Sequence, residues 1–349
     1  MHPIQIIKEK PYSFNYSYIQ EKGRDVLNSY YSLNQDEAVQ LANYAMRQDK
    51  NTRWAILQNL ALLVPGSISH LYKKILNLKI EESETFFINA PDDICDYVIQ
   101  QLESDIAANR ETYMACILAW IGTPKAVEKI NELRKTEITI SSYWQTKIEN
   151  IPIIAGWELT PKGQRRNLYL EESCILEEPE QGKIEFLDEY CPLCGQQLYI
   201  PFSFDLSNEN LSFLNCKGKL LKILTCINCD QYGPVFSIPD FTNNSLWHKK
   251  NTKSEYMIPS EESIHDDWAF SKAFTIGERG GSPYEWIAWL PNSPYHIGGF
   301  PSWVQFPEYP SCPDCQQTMK FLAQINNGME IYAFICPECN TTATLTQAD

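Results

Sequence analysis

Apolar positions between Arg110 and Lys135 recur at helical spacing and mark two consecutive helices. Met114, Ile117, Leu118 and Ile121 fall at i, i+3, i+4 and i+7, the stripe that one face of a 3.6-residue helix buries. Gly122-Thr123-Pro124 then ends one helix and opens the next, with Thr123 as cap and Pro124 at the first helical position. Val127, Ile130 and Leu133 carry the stripe onward. An earlier stretch repeats the plan: Trp54, Leu57, Leu60, Ala61 and Val64, the turn Pro65-Gly66-Ser67, then Ile68, Leu71, Ile75 and Leu76. Paired helices of this kind are similar to HEAT-like repeats, at a period longer than the usual 40–47 or so residues. Two pairs cannot cover their own apolar faces, so this region is expected to pack on the rest of the chain.

Further along, the pattern changes to period two. Met319, Phe321, Ala323 and Ile325 alternate with Lys320, Leu322 and Gln324; Asn326-Asn327-Gly328 makes a turn, and Ile331 to Ile335 returns. A second outgoing strand runs from Gln197 to Leu206 and contains Pro201, which places it at an edge or a bulge. Ser207 to Asn210 is polar and reads as a loop, and Lys219 to Thr225 is the return strand. The expected fold is therefore α+β: a helical-repeat region over 1–150 packed on a β-rich domain over 151–349.

Cysteine spacing gives the β half its chemistry. Eight of the twelve cysteines form two CxxC…CxxC frames, Cys191/Cys194 with Cys226/Cys229 and Cys312/Cys315 with Cys336/Cys339. A two-residue gap lets both thiolates of one turn reach one metal ion, and two such turns supply the four sulfurs that tetrahedral zinc accepts. Each hairpin returns the chain to its starting end and brings its two turns together. Two zinc ribbons are expected, at 191–229 and 312–339, each with a structural Zn2+ ion and no open position for water. Iron is the alternative ion for the same ligands, and Cys216 is an alternative ligand in the first frame. Cys95, Cys116 and Cys174 lie outside both frames and read as small buried apolar residues.

The first thirty residues, with Lys8, Glu9, Lys10, Glu21, Lys22, Arg24 and Asp25, lack the apolar core of a signal peptide. A reducing, cytoplasmic setting is expected, which favours metal over disulfide. The longest apolar run, Ala115 to Ile121, is far shorter than a membrane span requires.

The net charge of −15 is uneven: residues 1–150 carry 16 basic and 19 acidic groups, residues 151–349 carry 13 and 25. Phosphate contacts need Lys and Arg on the approaching face, so the acidic ribbon half disfavours nucleic acid and suits a basic or hydrophobic protein partner.

Between the ribbons, His296-Ile-Gly-Gly-Phe-Pro-Ser-Trp-Val-Gln305 precedes Phe321-Leu-Ala-Gln-Ile325 and Tyr332-Ala-Phe-Ile-Cys336. This order resembles the bacterial YwqG family and its eukaryotic relatives, the programmed-cell-death-2 and Tsr4 proteins. There a Gly-Gly-x-Pro-x-Trp segment precedes a strand ending in Leu/Phe-x-x-Gln-hydrophobic and another ending in aromatic-x-Phe-hydrophobic-Cys. The resemblance covers 296–339 and implies a β-rich, partly duplicated interaction module, chaperone-like or immunity-like, with no known active site. Phe300 and Trp303 are the candidate partner-binding residues, with packing under the ribbon as the other reading of both rings.

Catalytic signatures are scarce. Five histidines are present, His265-Asp266-Asp267 reads as a solvated turn, and Gly277-Glu-Arg-Gly280-Gly281 lacks the Lys-Ser/Thr of a P-loop. The expected function is a zinc-stabilised cytosolic protein-binding module without catalytic activity. A nucleic-acid-binding zinc ribbon and an enzyme of unrecognised type are the alternatives.

Overall fold

Among the described residues, helices dominate up to Ile154 and strands are the main regular structure after it. The computed structural model describes residues 2–10, 19–78, 83–104, 108–136, 150–177, 185–257, 274–288, 295–326 and 329–348. His265 and the turn residues 327 and 328 lie outside them. Two compact units result: Met1–Asn167 with Ile287–Asn292, and Leu168–Trp286 with Ser293–Asp349.

The first unit contains α1 (Pro3–Glu9), α2 (Ile19–Tyr31), α3 (Gln35–Ala45), α4 (Lys50–Leu63), α5 (Tyr72–Asn77), α6 (Asp92–Leu102), α7 (Ala108–Ile121), α8 (Pro124–Leu133) and α9 (Ile151–Ile154). A two-stranded ladder, β1 (Trp157–Leu159) with β2 (Arg165–Asn167), closes it. The helix boundary at Gly122-Thr123-Pro124 forms as its chemistry dictates. Gly122 takes φ +59°, the Thr123 side chain accepts from Ala126 N–H, and Pro124 sits in the first helical turn. Asn34 and Glu37 form a reciprocal capping box at the start of α3, and Asp49 caps α4 through the N–H groups of Asn51 and Thr52.

α4 and α7 are buried on every side rather than along one stripe: Ala55 through Leu63 and Tyr113 through Ile121 are all buried. An all-round buried helix is central to its unit. Trp157, fully buried, fixes the ladder to α7 by donating from Nε1 to the Ala119 carbonyl at 2.8 Å.

The second unit is built from two antiparallel sheets. The smaller one, in the order β4-β5-β6, joins β4 (Glu185–Tyr190), β5 (Gln197–Asp205) and β6 (Leu220–Thr225). The larger has eight strands in the order β8-β7-β13-β12-β11-β10-β3-β9. Its members are β3 (Leu170–Glu177), β7 (Val235–Pro239), β8 (Ser245–Trp247), β9 (Thr275–Arg279), β10 (His296–Gly299), β11 (Lys320–Asn326), β12 (Glu330–Cys336) and β13 (Thr341–Gln347). Tyr199, Phe202, Phe204, Leu221 and Ile223 of the small sheet form one core with Cys174, Leu176, Ile297, Ala323, Ile325, Ile331 and Ala333 of the large one.

Pro201 lies in the middle strand of the small sheet, where its missing N–H would break a ladder bond. The register shifts between Tyr199 and Phe202 absorb it, so the bulge, not the edge, accommodates the proline. Beyond β5, the polar loop runs into a 3-10 turn at Glu209–Leu214.

Candidate metal centres

Each hairpin carries its two CxxC turns to one end. In the first ribbon, Cys191 and Cys194 lie in the turn between β4 and β5, and Cys226 and Cys229 follow β6. In the second, Cys312 and Cys315 precede β11, Cys336 ends β12, and Cys339 leads into β13. The β11–β12 pairing runs from Lys320 opposite Ile335 to Asn326 opposite Glu330, which sets the turns side by side.

The sulfur atoms of Cys191, Cys194, Cys226 and Cys229 all lie within 4.8 Å of one another, as do those of Cys312, Cys315, Cys336 and Cys339. The sulfurs lie 3.6 Å apart for Cys191 with Cys229, 3.4 Å for Cys194 with Cys226 and 3.6 Å for Cys315 with Cys336. Four sulfurs about 2.3 Å from a tetrahedral ion sit about 3.8 Å apart, whereas a disulfide needs about 2.05 Å. Both clusters have the dimensions of a tetrathiolate site, and all twelve cysteines are free thiols. Cys216 stands apart, its thiol directed to the Leu214 carbonyl and its body packed against the shared core. Cys95 and Cys116 are buried in the helical unit and Cys174 in the sheet core.

The surroundings favour thiolate at selected sulfurs. The Leu193 N–H donates to Cys191 Sγ at 3.4 Å. Contacts from the Cys226 and Cys229 thiols pull Cys191 well below the ordinary thiol range, and contacts with the Cys191 and Cys229 thiols push Cys226 up. Cys315 is lowered chiefly by the Gln317 N–H, and Cys336 is raised by burial. Thiols this close cannot all ionise without a cation among them, and a bound dication would take the place of their protons. A bound ion would clamp the two turns of each hairpin through four sulfurs, and four sulfurs complete a tetrahedral shell.

A polar knot surrounds the second centre. Asp314, between Cys312 and Cys315, receives hydrogen bonds from His248 Nε2 (3.1 Å), Lys250 Nζ (2.8 Å) and Thr341 Oγ1 (3.3 Å). The Lys250 and His248 contacts hold its carboxyl down to about 2, with the Lys250 ammonium the largest cause. His248 escapes sequence reasoning because 66 residues separate it from Asp314. Trp247-His-Lys-Lys250 carries no local sign of that contact.

Phe300 and Trp303 both pack against neighbouring rings. Phe300 is 3% exposed, its ring against Tyr169 and Tyr284 at centroid distances of 5.4 and 5.9 Å. The ring of Phe300, a candidate partner-binding residue, lies in the core: the segment turns inward at Gly299 and the Phe300 N–H bonds to the Pro283 carbonyl. Trp303 is half-buried, stacked on Tyr332 at 4.5 Å and edge-on to Tyr309 at 5.2 Å, in the same cluster as Cys312 and Cys336. It packs beneath the second centre.

Over an alignment of 345 residues, the chain is 32% identical to the uncharacterized protein YpfL of Salmonella typhimurium, covering 91% of this chain and 79% of that relative. The chain belongs to the YpfL family. No family model matches it, and no solved structure matches it. Among the described residues of this family member, no helix is long and apolar enough to cross a membrane.

Proposed function

We propose that the chain is a zinc-stabilised protein-binding scaffold, chaperone-like or immunity-like, with no catalytic activity of its own. The observation that carries this reading is the closure of both metal centres. Four cysteine sulfurs converge at each, so a zinc ion there has no position left for water or substrate and acts on the fold. The acidic balance of residues 151–349 supports a basic protein partner over nucleic acid. The resemblance to the YwqG and programmed-cell-death-2 proteins supports an interaction module, and the paired helices of the first unit, read as HEAT-like repeats, add a second kind of binding surface. A reducing, cytoplasmic location fits twelve free thiols.

With Phe300 in the core, the partner surface falls to exposed aromatic positions of the ribbon unit. Tyr190 is 66% and Tyr256 76% exposed, and both are among the residue types that anchor interfaces. Native mass spectrometry with elemental analysis, on chain purified from its own host without chelator, tests the reading. Two zinc ions per chain and a stoichiometric protein partner, lost on Tyr190→Ala with Tyr256→Ala, are the expected result. Absence of metal, or iron with redox activity, would overturn it.

A further inference from the structure

The strand that leaves the first ribbon reaches the second. After Cys229 the chain enters β7, which pairs not with β6 of its own ribbon but with β13, the strand that follows Cys339. Ser237, Phe236 and Val235 stand opposite Thr342, Ala343 and Thr344. Side chains and backbone reinforce this seam beside the cysteines themselves. Thr225, next to Cys226, shares a hydrogen bond with Thr344, and the carbonyl of Asp230, next to Cys229, accepts from Thr346 N–H at 3.0 Å.

The grip closes from β8. His248 is 2% exposed; its Nδ1 accepts the Lys250 N–H at 3.1 Å, which leaves the ring proton of the neutral form on Nε2, facing Asp314 at 3.1 Å. Lys250 Nζ donates to the Pro313 carbonyl at 2.7 Å and to Asp314 at 2.8 Å. Pro313 and Asp314 are the two residues between Cys312 and Cys315, so the turn that presents two sulfurs of the second centre is held by residues of the first ribbon's exit hairpin. Groups that fix metal-bearing turns from outside the ligand set change metal affinity by about 10- to 100-fold when removed.

We infer that His248 is a positioning residue for the second metal centre and couples it to the first, so that emptying the Cys191 cluster loosens the Cys312 cluster. This rests on the reading of both clusters as metal centres. The coupling follows from order in the chain: an ion at Cys226 and Cys229 would anchor the start of the segment that carries His248 to the Cys191 turn, and without that anchor the segment is held through its seam with β13, so the grip on Asp314 slackens.

The test follows zinc transfer from the full-length, zinc-loaded chain to a chromophoric chelator, with peptide mass spectrometry of alkylated thiols to assign each released ion. His248→Leu speeds release from Cys312, Cys315, Cys336 and Cys339 by about 10- to 100-fold. His248→Gln, whose amide can still donate to Asp314, restores much of the retention, and Asp314→Asn reproduces the loss without disturbing the buried ring. Cys226→Ser with Cys229→Ser also speeds release from the second centre, and adding His248→Leu to that pair gives little more, because one tie has been cut twice. Release unchanged in both His248→Leu and Asp314→Asn, or effects that simply multiply, would overturn the coupling. A wild-type chain that takes up no zinc would overturn the metal reading beneath it.

Discussion

Gln324 and Ser302 exchange two hydrogen bonds: Ser302 N–H donates to Oε1 at 2.9 Å, and Nε2 donates to the Ser302 carbonyl at 3.0 Å. A side-chain amide here does what a neighbouring strand would do, satisfying both backbone groups of a segment that crosses the sheet. Tyr332 OH donates to the same carbonyl and accepts from Val304 N–H, and Gln347 holds Gln305 N–H and the Phe306 carbonyl. Three adjacent strands thus strap down Ser302 to Phe306. The two parts of the Gly-Gly-x-Pro-x-Trp…Gln pattern are physically one device.

Cutting that strap should be costly. Gln324 is 2% exposed, so Gln324→Leu leaves the backbone groups of Ser302 with fewer partners in a buried place, at a cost of about 2–4 kcal/mol. Gln324→Glu should be no milder, since Nε2 also donates to the Glu330 carboxylate at 2.9 Å and the substitution sets two carboxyls together. Urea unfolding of both variants checks this; a loss below about 0.5 kcal/mol in Gln324→Leu would refute it.

With zinc in both cysteine clusters, as proposed, metal removal is expected to act on one unit first. Structural zinc contributes about 10 kcal/mol or more of folding free energy per site at neutral pH, so the small ribbon sheet and its shared core should not survive its loss. Chelator at pH 7 should abolish the near-ultraviolet signal of the Leu168–Trp286 region while the helical far-ultraviolet signal from α1–α9 persists. Hydrogen exchange localises the change, and uniform protection in both units after chelation would contradict it.

How much of the molecule is legible in its sequence depends on the range of the contacts involved. The Gly122-Thr123-Pro124 boundary, both hairpins and the gathering of all eight clustered cysteines follow from local spacing, because caps, turns and CxxC pairs are fixed by neighbours in sequence. β13 escapes such reading: in Thr341-Thr-Ala-Thr-Leu-Thr-Gln347 the apolar side is carried by Ala343 and Leu345 alone, and on the other side Thr342 and Thr344 are buried with hydroxyl bonds to Ser237 and Thr225, more than a hundred residues away. Phe300 reads as either core or surface because nothing local to it specifies Tyr169 or Tyr284 as neighbours. The all-round burial of α4 likewise hides behind Gln58 and Asn59, two polar residues in its middle that tertiary partners accommodate.

His296 makes the sheet unit acid-sensitive in a defined window. Its ring stacks on Trp286 at 4.3 Å and 3°, and Nδ1 donates to the Gly298 carbonyl at 2.8 Å, leaving Nε2 bare in a buried place. Burial pulls its pKa down to about 4, below the ordinary 6.5. A lowered folded value means that stability is fully present above pH 6.5 and drains away as pH falls towards 4, because the unfolded chain takes the proton first. The loss amounts to about 3 kcal/mol across that window. Acid also drives metal from thiolates, so the measurement is the difference in urea stability between wild type and His296→Gln at pH 7 and pH 5. The wild type should lose more; equal slopes would remove the assignment.

Two glycines at nearly the same φ should respond differently to alanine. Gly298 and Gly195 sit at φ +72° and +79°, where any L side chain costs about 1–2 kcal/mol. Around Gly195, just after Cys194, a Cβ would meet nothing within 4 Å. At Gly298 it would lie 2.1 Å from the Glu172 carbonyl oxygen and 2.8 Å from the Phe213 ring, and the carbonyl belongs to the paired strand β3 and cannot swing aside. Gly195→Ala should therefore cost only the conformational amount and leave metal content unchanged. Gly298→Ala should add the overlap to it, with a total above about 3 kcal/mol and separation of β10 from β3. Thermal denaturation of the two variants side by side decides the matter, and equal shifts would show that the close approach of β10 to β3 carries no energetic weight.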